Sequence, residues 1–160
     1  VTKRTLYAHV PSKDDLLAEV LAHDQDLALA RNATWAAASS DGGPGDFVDA
    51  LFRELGAWAD QPRWRGSGFT RLVMELADLP GHPARAIARK HKAAIEAWIA
   101  EALTSRGARF PTESARDVML LIEGAMALML VSGDVTYAER AQLAARRLLS
   151  GPPLSSSAPP

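Results

Sequence analysis

An all-α fold follows from three features of this chain. Helix-breaking residues gather at a few places: Pro11, the run Asp41-Gly42-Gly43-Pro44-Gly45, Gln61 to Gly68, Pro80-Gly81, Gly107 to Pro111, Ser132-Gly133 and the end of the chain from Gly151. Between them, segments rich in Ala and Leu place apolar residues three and four apart, the repeat that lines one face of a helix. No segment alternates polar and apolar residues over the length of a strand. With 160 residues, 48% of them hydrophobic and 23% charged, the chain has the makeup of a globular domain and the length to bury a core.

The first long helix is expected to begin after Ser12, with Asp15 three residues on in a capping-box-like start, and to run to about Ala38. Its inward stripe is Leu16/Leu17, Val20/Leu21 and Leu27/Ala28. A second helix from Asp46 buries Phe47/Val48, Leu51/Phe52, Leu55 and Trp58. A third, from about Gly68 to Leu79, buries Phe69, Leu72/Val73 and Leu76. A fourth is opened by Pro83, a residue suited to a first turn, and carries Ile87, His91, Ile95, Trp98, Ala102 and Leu103 on one side. The last starts with Thr136 and Glu139, spaced as a capping box, and shows Ala138, Ala141, Ala144/Ala145 and Leu148. Residues 151–160, with four prolines and three consecutive serines, read as a disordered tail.

The fifth helix, about Thr112 to Val131, differs from the rest. Val118, Ile122, Ala125 and Met129 lie on one side, and Leu120, Leu121, Leu128 and Val131 on the other. A helix apolar all round must be covered all round. Either it is the centre of a monomeric bundle, or one side faces its own core and the other a second copy. The pairing alternative makes Leu120, Leu121, Leu128 and Val131, with Ala141, Ala145 and Leu148 of the last helix, the candidate dimer interface: two helices from each of two chains.

Charge and composition exclude several functions. Eighteen Lys and Arg against 19 Asp and Glu leave a net charge of −1, so no bulk basic excess holds this chain to nucleic acid. Any contact with an anion must be local. Without cysteine there is no disulfide framework, thiolate metal site or cysteine nucleophile. The most apolar stretch, Val118 to Val131, contains Glu123 and is shorter than the ~20 residues a membrane span needs. With no signal-peptide pattern at the start, a cytoplasmic protein is expected. The four histidines, His9, His23, His82 and His91, include no pair three or four apart, so no helix presents two metal ligands side by side. Gly66-Ser67-Gly68 lacks the strand–turn–helix setting of a nucleophile elbow. Gly42, Gly43 and Gly45 follow no strand, unlike a phosphate-cradling loop. Neither an enzyme nor a cofactor is expected.

The first fifteen residues carry the most information. Lys3, Arg4 and Lys13 fall within Val1–Lys13 with no acid among them, whereas the remaining residues carry 15 cations and 19 anions. Leu6 and Val10 form a short inward edge, while Thr2, Lys3 and Tyr7 face elsewhere, as a groove-reading helix requires. Lys13 sits at the first turn of the next helix, where a cation opposes the helix dipole by ~0.3–1 kcal/mol. A phosphate oxygen held by Lys13 and the free amides of that turn would reverse the sign.

The string Val1-Thr-Lys-Arg-Thr-Leu-Tyr-Ala-His-Val-Pro-Ser-Lys-Asp-Asp-Leu-Leu17 resembles the end of the helix-turn-helix in TetR-family transcriptional regulators, whose recognition helix closes in a Thr-Leu-Tyr-x-His-Phe-Pro-Ser-Lys-Glu-x-Leu type of pattern. Thr5, Leu6, Tyr7, His9, Pro11, Ser12, Lys13 and a leucine at 16 or 17 fall in place. Val10 stands where the family usually has Phe, a smaller wedge. A fainter likeness lies at Arg71-Leu-Val-Met-Glu75 with Pro80 and Pro83 behind it, similar to a C-terminal domain type found in many such regulators. On this resemblance, two further helices of the DNA-binding head, roughly 35–50 residues, precede Val1 in a longer protein.

The resemblance implies three segments: residues 1–12 as the end of the recognition helix, 13–150 as a helical ligand-binding and dimerisation body, and 151–160 as the tail. It implies double-stranded operator DNA and a second copy of the chain as partners. Thr2, Lys3, Arg4 and Thr5 would lie near base edges, and Tyr7, His9 and Lys13 against phosphates. It further implies an apolar or aromatic small-molecule effector that releases a repressor from its operator. For that site the sequence offers Trp58, Trp64, Phe69, Met74, Trp98 and Met126 on or beside inward stripes, with Asp24, Arg71, Glu75 and His91 as polar anchors. Aromatic residues at helical spacing are more often plain core, and a histidine such as His91 more often a satisfied core residue than a ligand anchor. The alternative function is a dimeric helical small-molecule-binding module without operator binding.

Overall fold

The computed structural model describes residues 42–151 and, ahead of them, residues 19, 21, 23, 28, 30–35 and 37. All of the latter are helical, as the long first helix requires. Five helices follow: α1 (Pro44–Ala59), α2 (Gly68–Glu75), α3 (Pro83–Ser105), α4 (Pro111–Ser132) and α5 (Thr136–Ser150). Among the described residues there is no strand. The fold is all-α.

Local chemistry sets the ends of these helices. Pro44 opens α1 two residues ahead of the expected Asp46, and the Asp46 carboxylate accepts from the Gly43 N–H at 2.9 Å. An acid in the first turn also complements the helix dipole. The Ser67 hydroxyl caps α2 by accepting from the Thr70 N–H at 3.3 Å. Gly133, with φ of 70°, ends α4 in the left-handed region that favours glycine.

Two departures from the expected ends have visible causes. The third predicted helix was to reach Leu79, but α2 stops at Glu75. Leu79 precedes Pro80, which disfavours helical backbone there. The Arg85 guanidinium also donates to the carbonyls of Leu76 and Ala77, at 3.5 and 3.2 Å, which a continuing helix would have used itself. At the start of α5 the expected Thr136/Glu139 box gives way to Asp134. Its Oδ1 accepts from the Thr136 N–H at 2.9 Å and from the Thr136 hydroxyl at 2.7 Å.

These two bonds favour the ionised form and hold the Asp134 carboxyl below its ordinary value of 3.8. A depressed carboxylate contributes stability that is present above pH 3.8 and lost as the pH falls through the lower folded value. Asp134→Ala is therefore expected to lower the thermal midpoint at pH 7, with the gap to wild type closing by pH 2. Thermal unfolding followed by circular dichroism at both pH values checks this, and an equal gap at both would contradict it.

The chain divides into two compact units, one of residues 1–31 and 67–94, the other of residues 32–66 and 95–160. In the first, Leu21, Phe69, Ala84 and Ala88 are buried together, with Leu72, Val73, Leu76 and Ile87 against them. In the second, α1 and α4 both pack on α5. Its core holds Phe47, Phe52 and Leu55 of α1, Ile99 and Leu103 of α3, Val118, Met126 and Met129 of α4, and Ala138, Ala141 and Ala145 of α5.

Small residues bring α1 and α5 together, since a Cβ on Gly56 would stand 3.3 Å from the Ala138 methyl. At the other end of that seam, Asp49 accepts from Gln142 Nε2 and Arg146 Nε, each at 2.8 Å, and Arg146 also reaches Asp46 at 3.5 Å. The Asp49 hydrogen bond, and then its charge, hold the Arg146 guanidinium above its ordinary pKa. In this exposed setting water screens the pair, and it adds little to stability.

Candidate functional site

On α4 the outer face is the most distinctive surface of the second unit. Leu120, Gly124, Ala127, Leu128 and Val131 follow one another at helical spacing and are all exposed, Leu120 at 72%, Leu128 at 46% and Val131 at 86%. A Cβ added to Gly124 would meet nothing within 4 Å, so the stripe lies open along its length. Leu130 and, on α5, Leu143 are exposed as well. Solvated helix faces are ordinarily charged, and contiguous apolar surface of this kind marks an interaction site.

The other residues of the expected dimer face divide. Leu121 and Leu148 are half-buried. Ala141 and Ala145 are buried in the protomer's own core. Their small side chains serve close helix approach as expected, but toward helices of the same chain, and Leu143 is the exposed leucine of α5.

The candidate ligand residues fall in both units. In the first, His91 is only 2% exposed and stacks on Phe69, with ring centroids 3.8 Å apart and planes 13° from parallel. Lys92, next along α3, donates to the Ser67 hydroxyl at 3.2 Å. Arg71, Met74 and Glu75 are exposed, Met74 at 67%, and do not line an interior site. The reason lies in helical phase. Phe69, Leu72, Val73 and Leu76 form the inward stripe of α2, which puts 71, 74 and 75 on the opposite side.

In the second unit, Met126 is buried in the core and Trp98 lies edge-on to Phe47, with centroids 5.7 Å apart. Trp58 and Trp64 meet at 5.7 Å with planes at 89°. Trp35, which the sequence reading passed over, joins them, its ring 6.2 Å from that of Trp58. A lone aromatic near the end of a predicted helix gives no sign of such a partnership. An open groove of about 390 Å³ also runs between α1 and α5, lined by residues such as Asp49, Arg53, Asp60, Glu139 and Gln142. None of the ligand candidates borders it.

The candidate DNA contacts Thr2, Lys3, Arg4, Thr5, Tyr7, His9 and Lys13, and the candidate anchor Asp24, lie outside the described residues. Among the described residues, no three His, Cys, Asp or Glu side chains are grouped to hold a metal. No helix there is long and apolar enough to cross a membrane.

A TetR-family transcriptional regulator from Streptomyces coelicolor superposes with a TM-score of 0.81 at 25% identity, covering 94% of this chain and 78% of that one. A TetR-type transcriptional regulator from Streptomyces avermitilis gives 0.68 at 26% identity, covering 91% of this chain and 81% of that one. No family model matches the chain, and no curated protein does. The chain is thus similar to TetR-family regulators both in the motif over residues 5–17 and in its fold. It is a transcriptional regulator rather than an enzyme.

Proposed function

We propose that this chain is a dimeric, effector-responsive repressor of the cytoplasm, with residues 1–12 in its DNA-binding head, residues 13–150 as its ligand-binding and pairing body, and residues 151–160 as a tail. The observation that carries this reading is the open stripe Leu120, Gly124, Ala127, Leu128 and Val131 on α4, in a fold shared with TetR-family regulators. A two-fold pairing buries the same patch on both copies, so one self-complementary apolar face suffices.

Pairing matters for DNA because two recognition helices must enter successive turns of the major groove, ~34–36 Å apart. Thr2, Lys3, Arg4 and Thr5 then approach base edges while Tyr7, His9 and Lys13 hold phosphates. An effector that prefers a body in which the heads are out of register releases the operator. It does so only by its differential affinity for the two states, a coupling of ~1–3 kcal/mol in typical cases.

Gel shifts of the full-length protein on DNA from upstream of its own gene test the reading. A retarded band is expected that weakens steeply with salt, weakens with Lys3→Ala or Lys13→Ala, and disappears when the cognate effector is added. A paired protein that retards no such DNA would support the binding-module alternative.

A further inference from the structure

Three of the four tryptophans in the sequence meet in one place in the second unit, contributed by three separate segments. Trp35 comes from the helical stretch 30–35, Trp58 from the last turns of α1, and Trp64 from the loop between α1 and α2. Each is half-buried, so the cluster keeps part of its aromatic surface open. Buried indole N–H groups ordinarily find an acceptor. Trp64 Nε1 is covered and donates to nothing. A covered donor without an acceptor is destabilising, and a group held in that state calls for a reason.

The loop around it is also unusual. Arg63 has φ of 66°, a left-handed conformation that a side chain of this kind rarely adopts, and Gly66 has φ of 67°. Trp64 is thus carried between two left-handed residues, and strain of this sort persists where the surroundings impose it and gathers at ligand clamps. The loop is tied at its entry by the Gln61 N–H to the Trp58 carbonyl at 3.3 Å, and internally by the Trp64 N–H to the Gln61 carbonyl at 3.1 Å. Gly66 sits beside Leu130 of α4, whose Cδ2 is 3.8 Å from where a Cβ would stand.

We infer that the Trp35, Trp58 and Trp64 cluster seats a small planar aromatic molecule bearing one neutral hydrogen-bond acceptor, which Trp64 captures through Nε1–H. The inference rests on the effector-responsive reading above and gives that effector a chemical class and a seat. The faces and edges of three indoles favour a flat π-system. The covered donor selects a ligand that brings an acceptor and is small enough to reach beneath the ring.

The full-length protein labelled with ¹⁵N shows one indole N–H signal per tryptophan, and Trp64→Phe identifies that of Trp64. Quinoline and naphthalene, near-identical in shape and differing by one ring nitrogen, are titrated in at pH 8. Without ligand, the Trp64 signal is expected at the upfield position of an indole lacking an acceptor. Quinoline should move it downfield to saturation and bind about fivefold more tightly than naphthalene. Trp64→Phe, which keeps an aromatic ring and removes the donor, should make the two bind alike.

A Trp64 signal already downfield without ligand, one that ignores quinoline, or equal affinity for both compounds would overturn the inference. Gel shift and sedimentation on the same samples separate the two readings. A protein that pairs and binds its DNA while ignoring quinoline loses this site but keeps the regulator function. One that takes quinoline as expected but neither pairs nor binds DNA keeps the site and loses the regulator.

Discussion

Leu128→Asp is expected to turn a paired protein into single chains while leaving each protomer folded. Leu128 stands in the middle of the open stripe, with Gly124 and Ala127 on one side and Val131 on the other. It is 46% exposed in the single chain, so an acid there remains in water and costs the protomer little, within about 0.5 kcal/mol for a surface change. In a two-fold pairing the same substitution strips water from a carboxylate on both copies at once and offers neither a cation. An unpaired buried charge costs several kcal/mol, which weakens pairing by about a hundredfold or more.

Operator affinity should fall with it, because two separate heads no longer bind as one unit. Sedimentation velocity, circular dichroism and a gel shift on one preparation read all three effects. A variant that stays paired, or one that unfolds, would place the interface elsewhere or show that the stripe belongs to the protomer's own stability.

Phe47→Ala is the substitution expected to damage the fold most. Its ring is fully buried in the core of the second unit. Trp98 meets it in an edge-to-face arrangement at 5.7 Å and 65°, and the Arg106 guanidinium lies 4.9 Å from its ring centroid. Removing a buried phenyl ring costs about 3–5 kcal/mol through lost transfer energy and the cavity left behind. The edge-to-face contact adds roughly 0.5–1.5 kcal/mol. Against a usual stability of about 5–15 kcal/mol, that is roughly a quarter or more of the total. Urea denaturation should show a lower midpoint with an unchanged slope. Leu143→Ala, at an exposed position of α5, should shift it by no more than about 0.5 kcal/mol. Equal effects at the two positions would contradict the placement of the core.

What could be read from the sequence was what neighbouring residues decide. Pro83 at the head of α3, Gly133 behind α4 and the Phe47, Val48, Leu51, Phe52 and Leu55 stripe of α1 are local signals, and the structure follows them. Contacts across the chain were not legible. The early end of α2 depends on Arg85, eight and nine residues beyond the carbonyls it takes. The Asp49 bond to Arg146 spans 97 positions.

Ala141 and Ala145 announced close helix approach, yet periodicity does not say which helix approaches. The outward placement of Arg71, Met74 and Glu75 follows from the inward stripe Phe69, Leu72, Val73 and Leu76 of their own helix. The exposed half of α4 was the most legible part of the candidate site, because a helix apolar all round leaves one face that its own core cannot cover.

Sedimentation equilibrium of the full-length protein at micromolar concentration tests the pairing of two bodies through α4 most directly. The expected mass is twice that of one chain, falling to one chain with Leu128→Asp. A wild-type protein of single-chain mass across that range would contradict it.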